Sequence, residues 1–125
     1  MKKDIETLDD VKLMVNTFYT SIQKDHILGP IFEEKVGGKW DEHLAKMYRF
    51  WQSILLGENT YNGAPFPPHA RLPIDESHFI LWVKIFTNTV DDLFTGDVAN
   101  EAKRRGTLMA ALFNSKIEFI KSHGL

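Results

Sequence analysis

The sequence predicts an all-α domain. Apolar residues recur at spacings of three and four along four long segments, the period of a helix with one buried face. Capping residues and glycines punctuate those segments, as helix ends require. No segment shows the sustained apolar–polar alternation of a half-buried strand.

The first helix is expected over Leu8–Lys24. Thr7 is its cap, and Asp9 and Asp10 sit near its positive end. Val11, Met14, Val15, Phe18, Tyr19 and Ile22 make one apolar stripe. In "GPIFEE", Pro30 after Gly29 suits a short helical start, and "KVGGK" reads as a flexible break. The second long helix is expected over Trp40–Leu56, with Gly57 as its C-terminal cap. Leu44, Met47, Trp51, Ile54 and Leu55 form its buried side.

Gly57–Ile74 then shows almost no regular pattern. Stretches of that length are uncommon in compact domains and are usually functional or disordered. The aromatic and proline content here argues against disorder. A third helix, Glu76–Phe94, is capped by Asp75, with Phe79, Trp82, Val83, Phe86, Val90 and Leu93 inward. "TGD" breaks the chain. The last helix, Val98–Lys121, turns Ala102, Leu108, Met109, Leu112, Phe113, Ile117 and Ile120 inward, and Gly106 weakens it modestly.

The 125 residues suffice for one domain, 1–125, with one core. A net charge of −2 and a pI near 6.2 give no electrostatic case for nucleic acid or an anionic membrane as partner. The absence of cysteine excludes disulfides, thiolate metal sites and cysteine nucleophiles, and suits a reducing compartment. The N-terminus lacks the apolar core of a signal peptide. The longest apolar stretch, Phe79–Phe86, contains Lys84 and is too short to span a bilayer. A cytoplasmic protein is expected. Without a serine nucleophile motif or a glycine-rich phosphate loop, a hydrolase or nucleotide enzyme has no positive support.

Of the five histidines, His26, His78 and His123 read as solvated. His43 shares a largely apolar helix face with Met47, Phe50 and Ile54, and on pattern alone is a core-edge imidazole bonded to a backbone carbonyl. His69 follows Pro67 and Pro68, which suit the first positions of a helix, and Pro73 disfavours continuation past Leu72. That leaves a single turn, His69–Leu72. It reads either as a rigidly presented side chain or as a proline-rich loop with an incidental histidine. Tyr19 and Trp82 lie on buried stripes, each an apolar body with one polar tip that normally finds a partner. On pattern alone ordinary core packing is the favoured reading of both, as gap-filling core is of Met47 and Met109.

Taken together, "FYTSIQKDHILGPIF", "WDEHLAKMYRFWQSILLG", "YNGAPFPPH", "HFILWVKIF" and "RRGTLMAALF", in that order, resemble the truncated haemoglobins, and most closely their third group. The resemblance spans about Leu8–Ile120. It implies a two-over-two helical sandwich around haem b. It implies His69 as the proximal iron ligand, with Tyr19, His43 and Trp82 on the distal side. It further implies that Phe18, Phe32, Met47, Phe50, Leu72 and Phe79 meet the haem. Lys46, Arg49 and Arg71 are candidates for its propionates.

One neutral imidazole ligates ferrous iron and leaves the sixth position open. The expected function is therefore O₂ binding, with NO and CO as further ligands. Oxygen carriage, NO dioxygenation and peroxidase-like chemistry all suit such a pocket, and sustained turnover needs an external reductant. The alternative is a haem-free helical module whose aromatic stripes form a partner groove.

Overall fold

A computed structural model describes residues 2–58 and 74–122. They form five helices: α1 (Leu8–Lys24), α2 (Leu28–Val36), α3 (Trp40–Leu56), α4 (Glu76–Leu93) and α5 (Asp97–Ser122). There is no strand among the described residues.

The first helix starts where its signals place it. The Thr7 hydroxyl accepts from the Asp10 amide at 3.3 Å, and the Asp10 carboxylate accepts from the Thr7 amide at 3.1 Å. Two orphan donors are satisfied at once. All six residues of the expected stripe are buried. α2 begins two residues before Pro30, because the Asp25 carboxylate accepts from the amides of Ile27 (2.9 Å) and Leu28 (2.8 Å). α3 matches its expected bounds and ends on Gly57, whose φ of 68° is left-handed, a conformation glycine adopts without a Cβ clash. On α3 only Met47 and Trp51 are buried; Leu44, Ile54 and Leu55 are half-buried.

α1 and α3 run antiparallel, since Tyr48 meets Asn16 while His43 meets Tyr19 farther along α1. α4 and α5 are antiparallel too: Lys103 bonds Asp91 at 2.6 Å, and Lys121 reaches back to the Ile74 carbonyl at 3.0 Å. α1 also packs on α2 and α4, joining the two pairs. One core cluster fills the space between α1, α3 and α4, and a second joins Ile74 and Phe79 to Ala110, Phe113 and Ile117.

The inward face of α5 differs from expectation. Ala99, Ala102, Gly106, Ala110, Phe113 and Ile117 are buried, whereas Leu108 and Leu112 are about half exposed. α5 approaches its neighbour through small residues. A Cβ on Gly106 would lie 2.7 Å from the Phe86 ring, so contact there is with helix backbone. The large aliphatics that suggest an inward face lie off it.

Residues 2–6 strap the molecule together. The Asp4 carboxylate accepts from the amides of Val98 (3.0 Å) and Ala99 (2.8 Å), capping α5 from the far end of the chain. Thr95 N–H donates to the Lys3 carbonyl at 2.9 Å. Gly96, at a φ of 136°, makes room: a Cβ there would lie 2.5 Å from the Asp4 carboxylate.

Candidate functional site

All five helices contribute to one apolar cavity. Its walls are Phe18 and Tyr19 from α1, Leu28 and Phe32 from α2, and Met47, Phe50 and Trp51 from α3. His78, Phe79 and Trp82 of α4 and Met109, Ala110 and Phe113 of α5 complete it, with Ile74 just before α4. With the side chains as they stand the enclosed volume is about 40 Å³, room for a few waters.

Helical period explains how the sequence builds the cavity. Phe18 and Tyr19 end the buried stripe of α1. Met47, Phe50 and Trp51 fall on one face of α3 at spacings of three and four, as Phe79 and Trp82 do on α4. The aromatic rings brace one another. The Phe18 ring meets Tyr19 at 4.9 Å, Trp82 at 5.1 Å and Phe86 at 5.2 Å, each edge to face, the geometry aromatic quadrupoles favour. Tyr19 in turn meets the His43 imidazole edge-on at 5.0 Å and Phe32 at 6.3 Å. Trp40 packs on His43 at 5.8 Å, and its indole N–H is fixed by Glu33 at 2.8 Å.

The polar groups at this cavity are few. The Tyr19 side chain is buried, and burial pushes its phenol well above the ordinary value. It therefore stays protonated and can donate. Trp82 is half-buried, with an indole N–H as its polar tip.

His78 was expected in solvent. Instead it is half-buried and borders the cavity. Its Nδ1 accepts from the Asp75 amide at 3.0 Å, which draws the ring onto the helix start. The Asp75 carboxyl, bonded by the Ser77 hydroxyl at 2.5 Å, is held below the usual carboxylate range.

Of the expected site residues, the structure brings together Phe18, Tyr19, Phe32, Met47, Phe50, Phe79 and Trp82 around the cavity. His43 stands beside it against Tyr19. Lys46 and Arg49 lie on α3 and are exposed. His69, Arg71 and Leu72 fall outside the described residues. The wall includes Leu28, Trp51, Ile74, His78, Met109, Ala110 and Phe113 as well. Trp51, Met109 and Phe113 carry a readable signal, since all lie on inward helix faces, where they look like core.

A family model described as bacterial-like globin matches residues 5–114. The chain belongs to the bacterial-like globin family. The globin assignment accords with two individual comparisons. The Group 3 truncated hemoglobin ctb of Campylobacter jejuni is 31% identical over 121 residues, covering 94% of this chain and 95% of that protein. The crystal structure of a group III truncated hemoglobin from Campylobacter jejuni superposes with a TM-score of 0.84 at 31% identity, covering 94% of this chain and 95% of that one. The expected all-α truncated-globin fold and group III resemblance are both borne out.

Globin membership implies haem binding. The chemistry of the described lining suits such a group: rings and thioethers from opposite helix pairs line the cavity, and its few polar tips include a phenol held in its donor form. A large flat apolar macrocycle needs that kind of lining. No helix among the described residues is long and apolar enough to cross a membrane.

Proposed function

We propose that this globin is a single-domain haem b protein over residues 1–125, acting in the cytoplasm, that binds O₂ and also NO or CO. The observation that carries this reading is the meeting of Tyr19 and Trp82, from different helices, at one apolar cavity braced by Phe18.

In this reading His69 would ligate the haem iron and Leu72 would be among the residues that meet the haem. Phe18, Phe32, Met47, Phe50 and Phe79 pack the macrocycle. Lys46, Arg49 and Arg71 serve its propionates, a role that the exposure of Lys46 and Arg49 suits at a carboxylate rim facing water. Bound haem supplies a ferrous centre with one open position for a diatomic gas. The chain supplies the rest. Phe, Leu and Met side chains exclude water. The Tyr19 hydroxyl and Trp82 indole donate hydrogen bonds to O₂ held in the cavity, and His43, packed on Tyr19, limits how far the phenol can swing. Each donor contributes about 1.5–3 kcal/mol when its acceptor carries charge. Such a pocket serves O₂/NO handling or oxygen carriage. It also suits NO dioxygenation or peroxidase-like turnover, fed by an outside reductant.

The test is a visible spectrum of the purified, haem-reconstituted protein. A strong Soret band that shifts with CO is expected, and His69→Ala should lose normal ligation. Absence of the band after reconstitution would favour a haem-free helical module. Normal ligation in His69→Ala would reject the ligand assignment.

A further inference from the structure

The corner between α2 and α3 has little of its own to stiffen it. Gly37 takes a φ of 58°, on the left-handed side that favours glycine, and Gly38 follows it. An added Cβ at either position would meet nothing within 4 Å. Two consecutive glycines give a chain its greatest backbone freedom. The turn contacts Gly37 to Glu33 (2.7 Å) and Lys39 to Val36 (3.1 Å) hold the corner to α2, but Lys39 places no side-chain cap on the start of α3, whose first amides are left without that support.

One side-chain bond crosses the corner. The Trp40 indole N–H donates to the Glu33 carboxylate at 2.8 Å, joining α2 to the first residue of α3 across seven positions. The Trp40 ring lies edge-on to Tyr19 (5.9 Å) and to His43 (5.8 Å), and His43 meets Tyr19 at 5.0 Å. Tyr19 is buried and borders the cavity, whereas Trp40 and His43 are half-buried and stand behind it, and Glu33 is exposed. From inside outward the order is cavity, Tyr19, the Trp40–His43 pair, then water.

We propose that the α2–α3 corner is a hinge and that the Glu33–Trp40 bond is the clasp that sets how fast a gas crosses between water and the cavity. The clasp rests on the haem reading and names Glu33 and Trp40 as positioning residues for ligand entry. While it holds, Trp40 and His43 stay packed over the outer side of Tyr19. Because it is exposed, water competes for both partners and the bond opens readily. When it parts, the glycines let the first turn of α3 swing away from α2. Trp40 and His43 then leave Tyr19, and a path opens beside the phenol. Neither Glu33 nor Trp40 borders the cavity, so the clasp acts on the barrier and not on the bound gas. A barrier lowered for entry is lowered equally for exit, because the bound and free states are unchanged. Entry and release therefore change by one factor, and affinity stays constant. A hydrogen-bond donor to the gas behaves differently, since its loss changes release and affinity together.

The experiment uses the haem-reconstituted full chain and CO, with association followed by laser photolysis and release by displacement with NO. Glu33→Ala should quicken both rates by the same factor, about two- to tenfold for one exposed hydrogen bond, with Kd and the CO-shifted Soret band unchanged. Trp40→Phe keeps a ring but loses the N–H; it should match Glu33→Ala, and the double variant should be no faster than either. Glu33→Gln keeps an acceptor oxygen and should stay near the wild-type rates. Gly38→Ala should slow both rates, since its methyl meets open space and only hinge freedom is lost. General loosening of the fold would give neither the rescue nor the slowing. Unchanged rates in Glu33→Ala and Trp40→Phe, with a normal Soret band, would overturn the clasp and leave the haem reading intact. A change in release alone would overturn it equally, and unslowed rates in Gly38→Ala would overturn the hinge. Absence of a CO-shifted Soret band in the unmutated chain would overturn both readings.

Discussion

At the scale of single residues, Tyr19 is a donor held in one protonation state. Burial moves its phenol upward, so its hydrogen bond should not titrate through the neutral and mildly alkaline range. Stopped-flow release of O₂ from Tyr19→Phe should be roughly ten- to hundredfold faster than wild type, with both rates flat across that range. Trp82→Phe should shift release in the same direction. Gly106 makes a second test. Alanine in a helix interior is ordinarily favoured over glycine by about 1 kcal/mol. Here its methyl would meet the Phe86 ring at 2.7 Å, and Phe86 is itself stacked against Trp51 and Trp82. The ring is buried against Phe18, Trp51 and Trp82, so overpacking at about 1–3 kcal/mol should prevail. Urea unfolding of Gly106→Ala should show a lower midpoint.

Among the elements, helix ends carry the clearest predictions. Asp4 caps α5 from outside that helix. Desolvation raises its carboxyl, but amides of Val98, Ala99, Ile5 and Asp97 outweigh that and hold it below the ordinary value. A carboxylate whose folded value is lowered stabilises the fold above its unfolded pKa. That contribution is lost as pH falls through the lowered folded value. Asp4→Ala should therefore cost about 1 kcal/mol at neutral pH, the size of a lost cap. The deficit against wild type should shrink as the solution is acidified, by thermal melts across a pH series. This cap was not legible beforehand, because nothing local in "MKKD" says that its acid will meet residues 98 and 99. Local features were legible. Thr7, Asp75 and Gly57 marked the ends of α1, α4 and α3, since each acts on its own helix. The inward face of α5 is not legible at Leu108 and Leu112, because a helix that packs through Ala and Gly carries its large side chains off the contact face. The half-burial of His78 is not legible either, because its ring answers to the amide of Asp75 rather than to the apolar stripe.

For the whole molecule, the cavity is the organising feature. Every helix gives it side chains, and α3 buries only Met47 and Trp51. The ring pairs that line it were legible as apolar stripes; that they enclose a shared void was not, because periodicity gives each face but not what it faces. A group bound in that void, and not by the unfolded chain, stabilises the fold by mass action, about 2.7 kcal/mol at a free concentration one hundred times Kd. Reconstitution with haem should raise Tm by roughly 10 °C under those conditions. Differential scanning calorimetry with and without haem checks it, and an unchanged Tm would speak against occupancy of this cavity.

The strap at Asp4 also sets a timetable. On a ribosome, the acceptor emerges well before its donors, which follow 94 and 95 residues later. α5 therefore lacks this outside cap until it is itself being made, and contacts closing so long a stretch of chain form late. Segment 2–6 is thus a clasp fastened last, and bulk inserted beside it would delay the locking of a helix more than ninety residues away.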